Sequence, residues 1–243
     1  QKGMNPAAIK AIGISYQMHG LVLVDERQHI LRSSIIWCDS RAVEIGNEAF
    51  VSIGENYALS HLLNSPGNFT ASKLAWVKNN EPEVYARAHK MMLPGDFLAM
   101  KLSGEITTTA TGLSEGIFWD FEERGISNKL MHQFGFDRAL IPDIVPAIGA
   151  DVKVKDTVAA ELGLSKGTVI AYRGGDQPNN AFSLNVLEPG ETAATAGTSG
   201  VIYAVTDKNV FDQKSRINTF LHVNDHKKAP RNGVLICING TGI

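Results

Sequence analysis

The stretch Val169-Ile170-Ala171-Tyr172-Arg173-Gly174-Gly175-Asp176-Gln177-Pro178 decides how this chain is read. Thr168 to Tyr172 has the length and β-branched content of a buried strand, and the two glycines let the backbone approach a ligand closely. Asp176 falls where a helix begins. Pro178 suits a first helical turn because its missing N–H would have had no partner, and Ala181-Phe182-Ser183-Leu184 continues without a breaker. Two readings of Asp176 share this geometry. It caps the helix by accepting orphan N–H groups, or the helix N-terminus keeps its carboxylate ionised and outward-facing, as a base accepting a hydroxyl proton requires.

Its surroundings bear on that choice. Glu191 to Ala196 and Val201 to Val205 have strand character and are joined by Gly197, Thr198, Ser199 and Gly200. Such a hairpin tip presents backbone N–H groups and two hydroxyls, although a tight turn needs glycine in any case. Near the start, Ala11 to Ser15 and Leu21 to Asp25 read as strands around Tyr16-Gln17-Met18-His19-Gly20, and Ile35-Ile36-Trp37 reads as a further short strand before Asp39 and Arg41. A polar insert between buried strands must satisfy its groups, which makes Gln17 and His19 candidates for ligand hydrogen bonds. A purely structural histidine is the competing reading.

Ser15-Tyr16-Gln17-Met18-His19-Gly20, Trp37-Cys38-Asp39-Ser40-Arg41, Lys73-Leu74-Ala75-Trp76, Gly174-Gly175-Asp176 and Gly197-Thr198-Ser199-Gly200 occur in this order. In that order they resemble the motifs of the FGGY carbohydrate kinases across nearly the whole chain, and the Gln-Met-His-Gly motif resembles the members that act on xylulose. The resemblance implies an α/β, actin-like ATPase fold (the sugar kinase, Hsp70 and actin group, ribonuclease H-like), with two domains around a cleft. Residues 1–184 would be the sugar-binding N-terminal domain and 185–243 the start of the nucleotide-binding C-terminal domain.

By the same resemblance Asp176 is the base for the sugar hydroxyl, and Met18 and His19 wall the D-xylulose site. Gln17, Trp37, Asp39, Arg41, Asp96 and Gln177 are substrate-contact candidates, Asp96 having the alternative of capping a helix from Phe97 to Leu102. Gly197, Thr198 and Ser199 would face the phosphates of ATP, with Mg²⁺ accompanying the nucleotide. No residue forms an obvious metal cage. The reaction implied is phosphorylation of D-xylulose to xylulose 5-phosphate. The rivals are the same chemistry on ribulose, gluconate, a deoxy sugar or another polyol, and a non-catalytic sugar-binding module on the same scaffold. Three departures sit beside the sugar site: Arg173 where the family has a third glycine, Tyr16 where glycine is common, and Pro178, Asn179 and Asn180 in place of small residues.

Composition is that of an ordinary globular protein, with 44% hydrophobic and 20% charged residues in 243. A formal charge of −2 provides no electrostatic footprint for nucleic acid or an anionic membrane. Two distant cysteines, Cys38 and Cys237, suit a reducing cytoplasm rather than a disulfide framework, and both read as small buried hydrophobes. His222 and His226 flank an expected turn at Asn224-Asp225, so their spacing does not put them on one helix face. A homodimer is left open. The chain opens at Gln1 without Met and closes soon after a strand, so by the resemblance it reads as an internal piece with both domains incomplete. Helices are expected over Ala42 to Phe50, Phe69 to Asn79, Pro82 to Met92 and Val158 to Leu164, the last ended by Gly163.

Overall fold

The computed structural model describes residues 3, 5–196 and 199–239. Its strands are β1 Ala11–Tyr16, β2 Val22–Val24, β3 Lys90–Met92, β4 Thr107–Thr109, β5 Trp119–Asp120, β6 Gly125–Ile126, β7 Asp143–Val145, β8 Val169–Gly175, β9 Thr192–Ala196, β10 Ser199–Thr206, β11 Asn218–Leu221 and β12 Asn232–Asn239. The α-helices are α1 Val43–Ile53, α2 Glu55–Tyr57, α3 Thr70–Asn80, α4 Pro82–Ala86, α5 Pro94–Ser103, α6 Ala110–Glu115, α7 Asn128–Phe134, α8 Asp156–Leu162 and α9 Asp176–Ser183.

The β-branched run forms β8, which continues through both glycines to the edge of Asp176. It pairs in parallel with β1, with Ile14 opposite Arg173 and Tyr16 opposite Gly175, after a register shift between Ile12 and Gly13. Parallel neighbours end on the same side of a sheet, so the residues that follow β1 and β8 emerge together. This register builds the site. Helix α9 follows β8 without a loop and takes Gly175 as its N-cap, which places Asp176 at the first helical position rather than at the cap.

Strand β2 pairs with β3, antiparallel, and this corrects the helix expected over Pro82 to Met92. That helix stops at Ala86. Met91 and Met92 are fully buried, while the Lys90 ammonium donates to the carbonyls of Ala139 at 2.6 Å and Ile141 at 3.3 Å. Ile35-Ile36-Trp37 contributes only a bridge from Ile35 to Leu21, because Ile36 and Trp37 turn to solvent. The middle of the chain also carries unforeseen strands, β4 parallel to β7 and the short pair β5 and β6. Gly163 ends α8 in the left-handed region, as expected.

The later strands form an antiparallel sheet in the order β11-β12-β10-β9. One apolar cluster runs from Leu21, Leu23 and Leu74 through Leu113 and Phe118 to Tyr203, Phe220 and Leu235. The later sheet is therefore packed on the same body as β2 and α3. Each such side chain contributes about 1.5–3 kcal/mol when fully buried. A smaller cluster of Ile14, Tyr16, Leu93, Val152, Val154 and Ile170 backs β1 and β8. Cys38 and Cys237, expected to be buried, are exposed. Cys38 lies in a turn, and Cys237 lies on β12 beyond Leu235, where the core ends. Among the described residues no helix is long and apolar enough to cross a membrane.

Candidate active site

Gln17, Met18 and His19 leave the end of β1 beside the start of α9. His19 takes a left-handed backbone, φ 61°, uncommon for a residue with a side chain. Four contacts hold it. Its Nδ1 donates to the Glu115 carbonyl at 2.9 Å, and the Lys73 ammonium donates to the His19 carbonyl at 2.8 Å. The ring meets Phe69 edge-on, centroids 4.6 Å apart, and lies 5.4 Å from Phe220. A carbonyl only accepts, so Nδ1 carries the proton and Nε2 presents a lone pair. Loss of solvent lowers the imidazole pKa to about 4, the Lys73 charge pushing the same way against the Glu115 hydrogen bond. At neutral pH His19 is an uncharged acceptor suited to a hydroxyl.

Met18 is buried against the end of β8. A Cβ on Gly175 would stand 2.5 Å from Met18 Cγ and 2.5 Å from Glu115 Oε2, so only glycine allows this approach. The next residue is Asp176, half-buried, whose Oδ1 accepts from the Gln177 N–H at 2.9 Å. Desolvation raises its carboxyl above the ordinary range, opposed by hydrogen bonds from Gln177. A carboxylate with a raised pKa is the better base once ionised. Asp176 accepts a first-turn N–H without being the N-cap, and it directly follows Gly175, the residue packed against Met18.

Other candidates lie at greater remove. Gln17 spends its Oε1 on the Trp37 N–H at 2.9 Å. Trp37 is 62% exposed. Arg41 donates twice to Asp39, at 2.9 and 2.7 Å, and its guanidinium lies 4.6 Å over the Trp76 ring. Asn68 donates to the Asp39 carbonyl at 2.7 Å, tying this segment to the start of α3. Gln177 sits half-buried next to Asp176.

Asp96 does not cap a helix from Phe97. Helix α5 begins at Pro94, and Asp96 is its third residue, 1% exposed. Its carboxylate accepts from Thr108 Oγ1 at 2.7 Å and from Arg173 at 3.0 Å, and more loosely from the Leu93 N–H at 3.4 Å. Arg173 donates further to the Thr107 carbonyl and hydroxyl, both at 3.0 Å. The arginine that interrupts the glycine run is therefore turned away from the loop, pinning β8 to α5 and β4. Asp96 is its buried counter-ion.

Sequence reasoning missed two residues. Lys73 lies in a motif whose sequence alone indicates no role for it; it is fully buried, and desolvation lowers its pKa to about 8 against the pull of the Asp39 carboxylate. It remains a cation at neutral pH. Glu115 had no signal at all, since its neighbours Leu113, Ser114 and Gly116 form no recognisable spacing. Gly197 and Thr198 lie outside the described residues, as does the side chain of Ser199. Among the described residues, no group of three or more His, Cys, Asp or Glu is placed to hold a metal ion. A surface cleft of about 620 Å³ lined by Asp25, Tyr85, His89 and Asp137 shares no residue with this site.

Known proteins include relatives of this chain. The model of the N-terminal domain of the FGGY family of carbohydrate kinases matches residues 1–183. Xylulose kinase of Bacillus subtilis strain 168 is 30% identical over 217 residues, covering 86% of this chain and 42% of that protein. The structure of a xylulose kinase from Brucella ovis superposes with a TM-score of 0.87 at 28% identity, over 97% of this chain and 47% of the other. Plasmodium falciparum glycerol kinase with ADP superposes with a TM-score of 0.83 at 20% identity, over 95% of this chain and 47% of the other, a likeness of fold alone. The chain spans less than half the length of the curated relatives it matches.

Proposed function

Since this chain belongs to the FGGY family of carbohydrate kinases, with the family's α/β actin-like ATPase fold, we propose that the protein it is part of transfers the γ-phosphoryl group of MgATP to D-xylulose. The product is xylulose 5-phosphate. The observation that carries this reading is the β1–β8 register, which opposes Tyr16 to Gly175 and so sets the Met18-His19 loop beside Asp176.

In this reading Met18 forms an apolar wall and His19 Nε2 accepts a hydrogen bond from a sugar hydroxyl. Asp176 orients the terminal hydroxyl and takes its proton. A loose phosphoryl-transfer transition state asks the protein for alignment and charge stabilisation more than for covalent chemistry. Gly197, Thr198 and Ser199 are proposed to meet the ATP phosphates, and Mg²⁺ to arrive with the nucleotide, held largely by phosphates and water. The division into a sugar-binding part, 1–184, and the opening of a nucleotide-binding part, 185–243, belongs to the same proposal, as does a cytoplasmic location. Kinship of fold with a glycerol kinase keeps a second reading alive, the same transfer to another sugar or polyol.

The test is ADP release by the complete protein with MgATP and a panel of ketoses, polyols and sugar acids, beside Asp176→Ala. The expected result is turnover selective for D-xylulose, lowered about 10²–10⁴-fold in the variant, the usual loss for a general base. The raised pKa of Asp176 sets a sign as well. The rate rises with pH through a value above the ordinary carboxylate range, because the ionised form is the active one. Selective turnover of another sugar would retain the kinase and overturn the xylulose reading. Binding of sugar without turnover would replace catalysis by a binding module.

A further inference from the structure

Glu115 is the last residue of α6 and is 2% exposed. Its contacts exceed those of a packing residue. Its main-chain carbonyl accepts the Nδ1–H of His19 at 2.9 Å, which fixes the tautomer and plane of that ring. Its side chain presses on the strand end: a Cβ on Gly175 would meet Glu115 Oε2 at 2.5 Å. Its Oε1 has no hydrogen-bond partner among the described residues. A position with no polar duty would carry leucine or methionine here, since a buried orphan oxygen is costly.

The electrostatic setting agrees with the geometry. Burial pushes the Glu115 carboxyl well above its usual range, and Asp96 and Asp176 push the same way, against hydrogen bonds from Tyr16 and His19. Two carboxyl groups on either side of Gly175 are thereby separated in character. Asp176 keeps part of its exposure, while Glu115 is almost fully removed from solvent.

We propose that Glu115 is a positioning residue of the phosphoryl-transfer site, its side chain seating the Gly175-Asp176 turn while its carbonyl aims His19. One helix end thus indexes both the base and the imidazole that receives the sugar. The inference rests on the kinase reading above. It differs from it in assigning alignment to a residue that touches neither the sugar nor the phosphate.

The experiment compares wild type, Glu115→Ala, Glu115→Asp and Glu115→Gln in the complete protein, using the sugar that wild type turns over best. A misplacement of about 1 Å at a reacting group costs on the order of 10²-fold, so Ala is expected to lower kcat by about that factor with KM for ATP unchanged. Asp, which keeps the acid but falls short of Gly175, is expected to behave like Ala. Gln, which keeps the shape, is expected to recover most of kcat. Thermal melts accompany each variant, and if Ala does not fold, Asp against Gln decides. Equal kcat in all variants overturns the proposal and leaves the kinase intact. Losses that follow melting temperature, with Gln no better than Asp, overturn it in favour of packing. A wild type inert on every sugar removes the kinase reading and this inference together.

Discussion

His19 and His222 occupy two regions of the molecule and share one electrostatic condition. Burial lowers both pKa values to about 4, so both rings are neutral at pH 7. They differ in how their nitrogens are spent. His222, fully buried at the end of β11, has Nε2 3.1 Å from the Val186 carbonyl and Nδ1 2.8 Å from the Tyr203 hydroxyl. The carbonyl only accepts, so Nε2 is the donor and Nδ1 accepts from Tyr203. Both nitrogens are used within the fold. His19 spends Nδ1 on Glu115, and no described residue bonds its Nε2. A lowered pKa therefore does not separate a structural histidine from a ligand-binding one; the proposed sugar-binding role of His19 rests instead on its unspent nitrogen.

The largest expected effect lies on the structural side. His222→Leu strands the Tyr203 hydroxyl and the Val186 carbonyl, at about 1–3 kcal/mol for each group left unpaired. Chemical denaturation of this chain reads the loss directly. A change below about 0.5 kcal/mol, the ordinary scale of surface substitutions, would show that the two bonds contribute nothing and would dissolve the contrast with His19.

Acid comes next. The folded pKa of His222 is depressed from 6.5 to about 4, so between those values the unfolded chain binds a proton that the folded chain refuses. Stability is then fully present above about pH 6.5 and falls as pH drops, with a slope of about 1.4 kcal/mol per pH unit for each such histidine. His19 adds a second slope of the same sign. Because the raised carboxyls of Glu115 and Asp176 contribute slopes of the opposite sign, the check is the difference in slope between wild type and His222→Leu or His19→Leu at pH 7, 6 and 5, and no difference would contradict a neutral buried ring at that position.

Under the proposed function, His19→Leu removes the acceptor offered to the sugar. The expected result is a rise of about tenfold in sugar KM, the scale of one neutral hydrogen bond, with a smaller change in KM for ATP. An unchanged sugar KM would place Nε2 outside the sugar site and leave His19 no different in kind from His222.

The sequence displayed the halves of this site but not their junction. The β-branched run and the two glycines located β8, and Pro178 and the breaker-free segment after it located α9, because these are local preferences of the backbone. Gln17, Met18 and His19 were legible as a polar insert that had to bond something. Their alignment with Asp176 depends on the register of β1 against β8, a pairing of residues about 160 positions apart that no local pattern encodes. The same reason hid Glu115 and the Arg173–Asp96 pair, whose partners lie on elements distant in sequence. The strand Lys90–Met92 was missed because a short apolar run has no period of its own, and tertiary pairing with β2 overrode its helical spacing.

The smallest effect belongs to the segment that the motifs place near the sugar but that the structure leaves exposed and self-paired. Asp39 is held below the ordinary carboxylate range by the Arg41 guanidinium, with side chains 27% and 35% exposed. Solvent-exposed pairs of this kind contribute less than about 1 kcal/mol, so Asp39→Asn should leave stability within that limit, and salt should erase what difference remains. The Asp39 carbonyl, bonded to Asn68, is unaffected by the change. Because the carboxylate is already engaged by Arg41, sugar KM is expected to stay within a fewfold of wild type, far from the response of His19→Leu. A loss of sugar binding as large as that of His19→Leu would show that Arg41 yields Asp39 to the sugar. The exposed segment would then stand with His19 as binding surface, and exposure with an ionic partner would no longer mark a residue as peripheral to the site.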